Sequence, residues 1–264
     1  MDLSNKKLIK NYIQPCEISI AICVHNEEEQ LTQCLEKLIF ADEIVVLLDK
    51  CSDQSKNIAK KFTNNIIEGN WSIEGDRRNV AIKACKNKWI FEIDADERVS
   101  AALAKEIKDT VSSSNADWHG IPVDNYIGER LVRYGWGAYF GKSQYPGLFK
   151  KGAKTWGHQR VHPELIFNGP QGRTLTHRIN HYVDKNISDM IKRLDSYTSA
   201  KAKDIRENGG GGSFNHNLRR IISRFWKCYV LRKGYREGKY GFLIALFAGL
   251  YPILSYLKAK LEKE

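Results

Sequence analysis

Apolar residues run along this chain in short stretches that break off abruptly into polar or acidic clusters. Ile18 to Val24 (ISIAICV) is apolar and β-branched and stops at His25-Asn26-Glu27-Glu28-Glu29. This reads as a buried strand feeding a helix whose first turn is acidic, as the helix dipole prefers. Leu31, Cys34, Leu35 and Leu38 then recur at i, i+3, i+4 and i+7, giving that helix one apolar face. Glu43 to Leu48 (EIVVLL) is a second strand, and a helical crossover between two such strands predicts a parallel pair with a right-handed connection. It ends in Asp49, after which Ser52-Asp53 offers an N-cap for a helix carrying Ile58, Ala59 and Phe62. Ile66-Ile67 suits a short third strand. Ile73 to Ala84 reads as a helix with Arg77-Arg78-Asn79 in its early part and Val80, Ala81 and Ala84 facing inward. Trp89, Ile90, Phe91 and Ile93 form a strand that delivers Asp94-Ala95-Asp96-Glu97 at its tip, and Ser100 caps a helix through Leu103, Ile107 and Val111.

Past that helix the pattern loosens. Trp118 to Val123 reads as a strand, and the segment from Asp124-Asn125-Tyr126 to Trp136 is rich in glycine and aromatics, which suits either a sugar platform or core packing. Leu175 to Tyr182 (LTHRINHY) holds His177 and His181, which share a face on a helix or on the strand its β-branched neighbours favour. Such a pair is either structural or metal-ligating. Gly209 to Gly212 is a flexible link. Leu218, Ile221, Ile222, Phe225 and Tyr229 then fall at helical spacing, with Arg219, Arg220, Arg224 and Lys227 elsewhere on the wheel. Tyr240 to Leu257 carries no charge and is interrupted by Gly249 and Pro252. A basic amphipathic helix followed by this run predicts an interfacial or shallowly embedded helical hairpin, with a true span or a helix docked on the core as alternatives.

Composition sharpens this in one respect. The 264 residues, 42% apolar and 28% charged, suit a globular protein with one substantial core, but the formal net charge is +11. From Lys201 to Glu264 there are 14 Lys and Arg against 5 Asp and Glu, so most of the excess lies in the last quarter and suits one anionic surface. The six cysteines show no C-x-x-C spacing and several fall inside apolar runs, as buried free thiols do; a reduced compartment is expected. The first 15 residues hold no apolar run long enough for a signal peptide.

Carboxyl ends of parallel strands are where α/β sheets bind ligands, and carboxylates two positions apart hold a divalent ion against a diphosphate. A lone D-x-D is weak, but four motifs occur here in order: V-x-H-N-E-E, V-V-L-L-D-x-x-S-D, G-D-R-R-N-x-A and W-I-F-E-I-D-A-D-E-R-V. Together, over Ile18 to Val99, they resemble the nucleotide-binding half of family 2 glycosyltransferases, in particular the subgroup that includes β-glucosyltransferases of lipopolysaccharide inner core. The resemblance implies an α/β GT-A fold, a Rossmann-like mixed sheet flanked by helices, with a C-terminal helical membrane-associating region. It implies a UDP-sugar donor, a divalent metal (Mg²⁺ or Mn²⁺) and inversion at the anomeric carbon. Residues 1–207 would form the transferase domain, 15–100 its nucleotide-sugar half and 101–207 its acceptor half, with 208–264 as the tail.

By the same resemblance Asp49 contacts uracil or ribose, Asp94 the ribose and diphosphate, and Asp96 the metal. Glu27, Arg77 and Arg78 join the nucleotide-sugar site, with one of the two arginines expected at the surface because adjacent helix positions point about 100° apart. His181 matches a position near the diphosphate and metal. Arg160 to Leu165 (RVHPEL) resembles the segment that follows the acceptor region, which makes Glu164 the expected base, held in a dry pocket, with His162 and Asp124 behind it. The resemblance places the protein at the cytoplasmic face of a bacterial inner membrane, with a glycolipid acceptor such as lipopolysaccharide core. Transfer to a polyprenyl phosphate or another polysaccharide intermediate is the alternative. Nucleic-acid binding is not expected, since it does not require the uncharged apolar run beside the basic helix.

Overall fold

The computed structural model describes residues 17–137, 141–159 and 163–262. The chain forms two compact units: Met1–Pro122 with Pro146–His158 and Glu164–Ile179, and Val123–Tyr145 with Gln159–Pro163 and Asn180–Glu264. In chain order the first elements are β1 (Ile18–Val24), α1 (Leu31–Glu36), β2 (Glu43–Asp49), α2 (Ser55–Ala59), β3 (Ile66–Gly69), α3 (Glu74–Ala84), β4 (Trp89–Asp94), β5 (Glu97–Arg98) and α4 (Ala101–Ser113). There follow β6 (Trp118–Ile127), β7 (Arg130–Val132), β8 (Gln144–Lys150), β9 (Lys154–Trp156), β10 (Leu165–Phe167), β11 (Ile179–Asp184), α5 (Ile187–Asn208), α6 (Phe214–Trp226) and α7 (Lys239–Leu261).

In the first unit β3, β2, β1 and β4 lie side by side and are all parallel. Every residue of β2 and nearly every residue of β1 is buried, as a parallel sheet covered on both faces requires. Strand β8 then adds antiparallel to β4, with Phe91 opposite Leu148, so the sheet is mixed as expected. Ala21, Leu47, Ile90 and Phe149 pack against Ala81 and Ile82 of α3 and Cys85 just after it. Strand order reverses about β1, since β2 lies on one side and β4 on the other, and such a reversal opens a crevice at the strands' carboxyl ends.

Helix α3 comes unusually close to the β9 end. An added Cβ at Gly75 would lie 2.1 Å from the carbonyl oxygen of Gly157, so only glycine permits this approach. Helix α1 begins later than its acidic prelude predicts. Gln30 and Leu31 both donate to the Glu27 carbonyl, at 3.0 and 2.8 Å, so Glu27 to Glu29 belong to a turn and no acid lies in the first helical turn.

The second unit is built around its C-terminal helices. Ile244, Ala245, Phe247, Ala248 and Tyr251 of α7 share one core with Met190 and Leu194 of α5 and with Ile127, Val132 and Trp136. The expected boundary at residue 207 therefore falls inside a unit, because α5 and α7 bury each other. Gly209 to Gly212 is irregular as expected, with positive φ at Gly209, Gly210 and Gly212. Helix α7 runs unbroken from Lys239 to Leu261 through both Gly249 and Pro252. Gly249, Tyr251, Pro252 and Ile253 are all buried there, so packing holds a helix that proline would weaken in water. Length and composition would let α7 cross a membrane, yet 56% of its most apolar stretch is buried inside the protein.

Candidate active site

The tips of β1 and β2 are tied together before any ligand is considered. His25 Nδ1–H donates to the Asp49 carbonyl at 2.6 Å, and Ser52 N–H donates to Asn26 Oδ1 at 2.8 Å. Asn26 has φ +54°, a left-handed conformation that asparagine tolerates through such local bonds. Glu28 N–H donates to Asp53, and Gln54 N–H donates back to Glu28. Glu27 sits within this knot, its N–H bonded to Ser55 Oγ at 2.9 Å.

Asp49 ends β2 with both carboxylate oxygens engaged: Oδ1 accepts from Trp71 N–H and Oδ2 from Arg77 Nη1, each at 3.0 Å. Arg78, the next residue, points to the other side of β1. Its guanidinium bonds Glu74 at 2.8 Å, Glu92 at 2.9 Å and Asp94 Oδ1 at 2.9 Å, and lies over the Trp156 ring. Both arginines are therefore engaged at the strand tips, and neither is the surface charge that wheel geometry predicted.

Behind the tip is a charge cluster that sequence reasoning missed. Glu92 accepts from Arg78, from Lys154 Nζ at 2.6 Å and from Trp156 Nε1 at 3.2 Å. Burial raises the cost of its charge, but Lys154 and then Arg78 outweigh it and hold the carboxyl below its ordinary range. Burial likewise opposes the charge of Arg78, and Asp94, Glu74 and Glu92 drive its pKa well above the usual value. Asn79 clamps the Trp156 backbone from both sides, donating to its carbonyl at 2.8 Å and accepting its N–H at 2.9 Å. The available signal was Glu92 itself, a charge inside the apolar run WIFEID.

Asp94 and Asp96 offer hard carboxylate oxygens, the donor type that suits Mg²⁺ or Mn²⁺. The neighbouring thiols are buried, which pushes Cys23 up to about 12 and Cys34 higher still. Among the described residues no group of three or more His, Cys, Asp or Glu side chains forms a ready metal cage. Asp94 and Asp96 are therefore the residues that would hold a divalent ion here.

The expected bases stand in different settings. Glu164 belongs to the first unit and its side chain is exposed, so it is not the carboxylate in a dry pocket that was expected. His162 lies outside the described residues. Asp124, in the second unit, is buried at 7% exposure, with Arg133 Nη2 at 3.5 Å. In the same unit Tyr126 stacks on Tyr182, ring centroids 5.1 Å apart, and His181 Nδ1 is 2.9 Å from Asn125 Oδ1. His177 is taken up elsewhere, its Nδ1 2.9 Å from Glu106.

The lipopolysaccharide core biosynthesis glycosyltransferase LpsC of Rhizobium meliloti is 24% identical over 254 residues, covering 90% of this chain and 89% of its own. An uncharacterized glycosyltransferase of Rickettsia bellii is 25% identical over 254 residues, covering 92% of this chain and 86% of its own. Among solved structures, the mannosyltransferase PcManGT of Pyrobaculum calidifontis, in complex with GDP-Man and Mn²⁺, superposes with a TM-score of 0.51. It covers 99% of this chain and 94% of its own at 12% identity, and so speaks for the GT-A fold alone. The glycosyl transferase family 2 model matches residues 19–161, more than half the chain. That span contains Asp49, both arginines and the acidic tip of β4, and the chain belongs to the family 2 glycosyltransferases.

Proposed function

We propose that the protein transfers a hexose, glucose by its sequence resemblance, from a UDP-sugar to a membrane glycolipid such as lipopolysaccharide core, with inversion at the anomeric carbon. The observation that carries this is the Asp94 and Asp96 tip of β4, tied through Arg78 and flanked by the Asp49–Arg77 pair. The name of the Rhizobium relative supports the acceptor and, with it, a place at the cytoplasmic face of a bacterial inner membrane.

In this reading Asp49 and Arg77 receive the nucleoside and Arg78 meets the diphosphate charge. Asp96 would hold the metal, with Asp94 beside it toward the ribose and diphosphate, and the ion would offset the charge that develops on the departing diphosphate. The acceptor hydroxyl attacks the anomeric carbon from the face opposite the diphosphate. Its oxygen forms the new glycosidic bond as the bond from carbon to diphosphate oxygen breaks. UDP leaves, and the hydroxyl proton passes to a carboxylate. Asp124 and Glu164 are the two carboxylates the resemblance offers for that role, and substitution of each decides between them.

The test is calorimetry of UDP with and without Mn²⁺ on the intact chain and on Asp96→Ala. Metal-dependent binding lost in the variant is the expected result. A folded intact chain that binds UDP equally well without metal would overturn the metal assignment, and no binding at all would overturn the donor. Transfer from UDP-glucose to purified lipopolysaccharide core, abolished in either Glu164→Gln or Asp124→Asn while UDP binding persists, tests acceptor and base together.

A further inference from the structure

We infer that the outer face of α6, continued through Leu231 and Tyr235, docks the protein on an anionic lipid bilayer. The inference rests on the reading of the acceptor as a membrane glycolipid and names the surface that brings the enzyme to it.

Phe214, Leu218, Ile222 and Trp226 occupy every fourth position of α6 and are 46%, 47%, 75% and 57% exposed. Every-fourth spacing keeps them on one side of the helix as a continuous row. The core does not need that row. The opposite side of α6 is already used: Asn217 is buried, and Phe225 packs on the core that α7 forms. The two helices are as close as their backbones allow, since a Cβ at Gly249 would lie 2.8 Å from the Ile221 carbonyl oxygen. The row is continued by Leu231 and Tyr235, at 67% and 51% exposure. These six are among sixteen large exposed apolar residues in the described chain, and scattered exposure would not gather them into one short segment.

Charge decides the occupant. Between Phe214 and Phe242 there are eight Lys and Arg and one acid, Glu237. Arg219 and Lys227 follow Leu218 and Trp226 directly, about 100° around the helix. They would stand at headgroup level when the apolar row is immersed, and their long stems reach upward from it. Lys233, Arg236 and Lys239 are exposed along the continuation. A second copy would bring a like-charged surface against this one, and a nucleic acid makes no use of an exposed Ile222 or Leu231. An anionic bilayer satisfies both the apolar row and the cations, and Trp226 is of the residue type that prefers the interface. Helix α7, the more apolar of the two, is not the contact: Ile244, Ala245 and Ala248 are fully buried against the rest of the second unit.

The experiment is co-sedimentation of the intact chain with vesicles of phosphatidylcholine alone and with about one third phosphatidylglycerol. It is repeated with Ile222→Glu, with the pair Arg219→Gln and Lys227→Gln, and with Trp226→Phe as a fluorescence control. Anionic vesicles should bind the intact chain in a salt-sensitive way, and each of the first two variants should bind about tenfold more weakly. The emission difference between the intact chain and Trp226→Phe should shift to the blue on binding. UDP affinity should be unchanged in every variant, which separates loss of docking from loss of the donor site. Failure of the intact chain to bind, or full binding by Ile222→Glu, would overturn the inference. So would a dimer in solution that Ile222→Glu dissociates, or DNA binding without vesicle binding. Vesicle binding without sugar transfer to any glycolipid would keep the docking surface and remove the acceptor reading instead.

Discussion

Glu92 has 5% of its side chain exposed and Lys154 has 1%, so their 2.6 Å contact is a buried ion pair that Arg78 extends toward Asp94. Removing one charge from such a cluster leaves the others buried and uncompensated, which costs roughly 3–5 kcal/mol. Glu92→Gln keeps the shape and removes the charge, so a loss of about 3 kcal/mol is expected from urea unfolding. An unchanged midpoint would mean that water screens the cluster. Asn79→Ala leaves two backbone groups of Trp156 without their partner and should cost about 1–3 kcal/mol. The acidic tip was legible in the sequence, because an apolar run that stops dead at Asp94 marks a strand end whatever the fold. The partners of the arginines were not. A helical wheel sends adjacent residues to different sides and so assigns one to solvent. Here α3 lies across β1, and Arg77 and Arg78 diverge onto the strands on either side of it.

Glu106 of α4 gathers the segment that leads into β11. Its carboxylate accepts from the N–H groups of Thr176 and His177, and pairs with Arg173 at 2.7 Å. Burial works against that charge, and the bonds from His177, Thr176 and Arg173 overcome it, bringing the pKa down to about 2. A carboxylate depressed on folding stabilises the protein above its unfolded pKa, near 4.5, and the stabilisation disappears as pH falls toward 2. Asp184 of β11 has the opposite sign. Burial raises its pKa to about 6 despite Arg193 at 2.6 Å, so folding favours its protonated form and stability should rise as pH falls from about 6 toward 4. Denaturant midpoints measured from pH 7 to pH 3 should show both. Glu106→Gln should flatten the acid limb, and Asp184→Asn the limb between pH 4 and 6; a Glu106→Gln profile parallel to that of the intact chain would count against the assignment. Neither carboxylate was legible in the sequence, because their partners come from 9 to 71 residues away. The strands and crossover helices were legible because their periodicity is local. The start of α1 was misplaced for an equally local reason, since a turn takes the Glu27 carbonyl before the helix can.

Across the whole chain, the tail reads as an appendage because a run of four glycines precedes it and most of the positive charge lies around it. The fold gives its two helices different work. Helix α7 supplies Ile244, Ala245 and Ala248, all fully buried, to a core shared with Met190, Leu194, Val132 and Trp136, while the outward row of α6 adds nothing to that core. Ending the chain at Asn208 would therefore expose the inner face of α5 and the apolar residues of β6 and β7 together. Each large side chain so uncovered forfeits about 1.5–3 kcal/mol, and a few of them exceed the 5–15 kcal/mol that holds a typical domain folded. The expected outcome is that residues 1–208 aggregate on expression, or bind a hydrophobic dye strongly and unfold without a cooperative transition. Ile222→Glu in the intact chain, by contrast, should melt within about 0.5 kcal/mol of the parent, as exposed positions do. A soluble, cooperatively folded 1–208 chain would show that α7 is dispensable to the core. Loss of fold in both would mean that the outward row of α6 is covered by the protein itself and that its apolar residues serve stability.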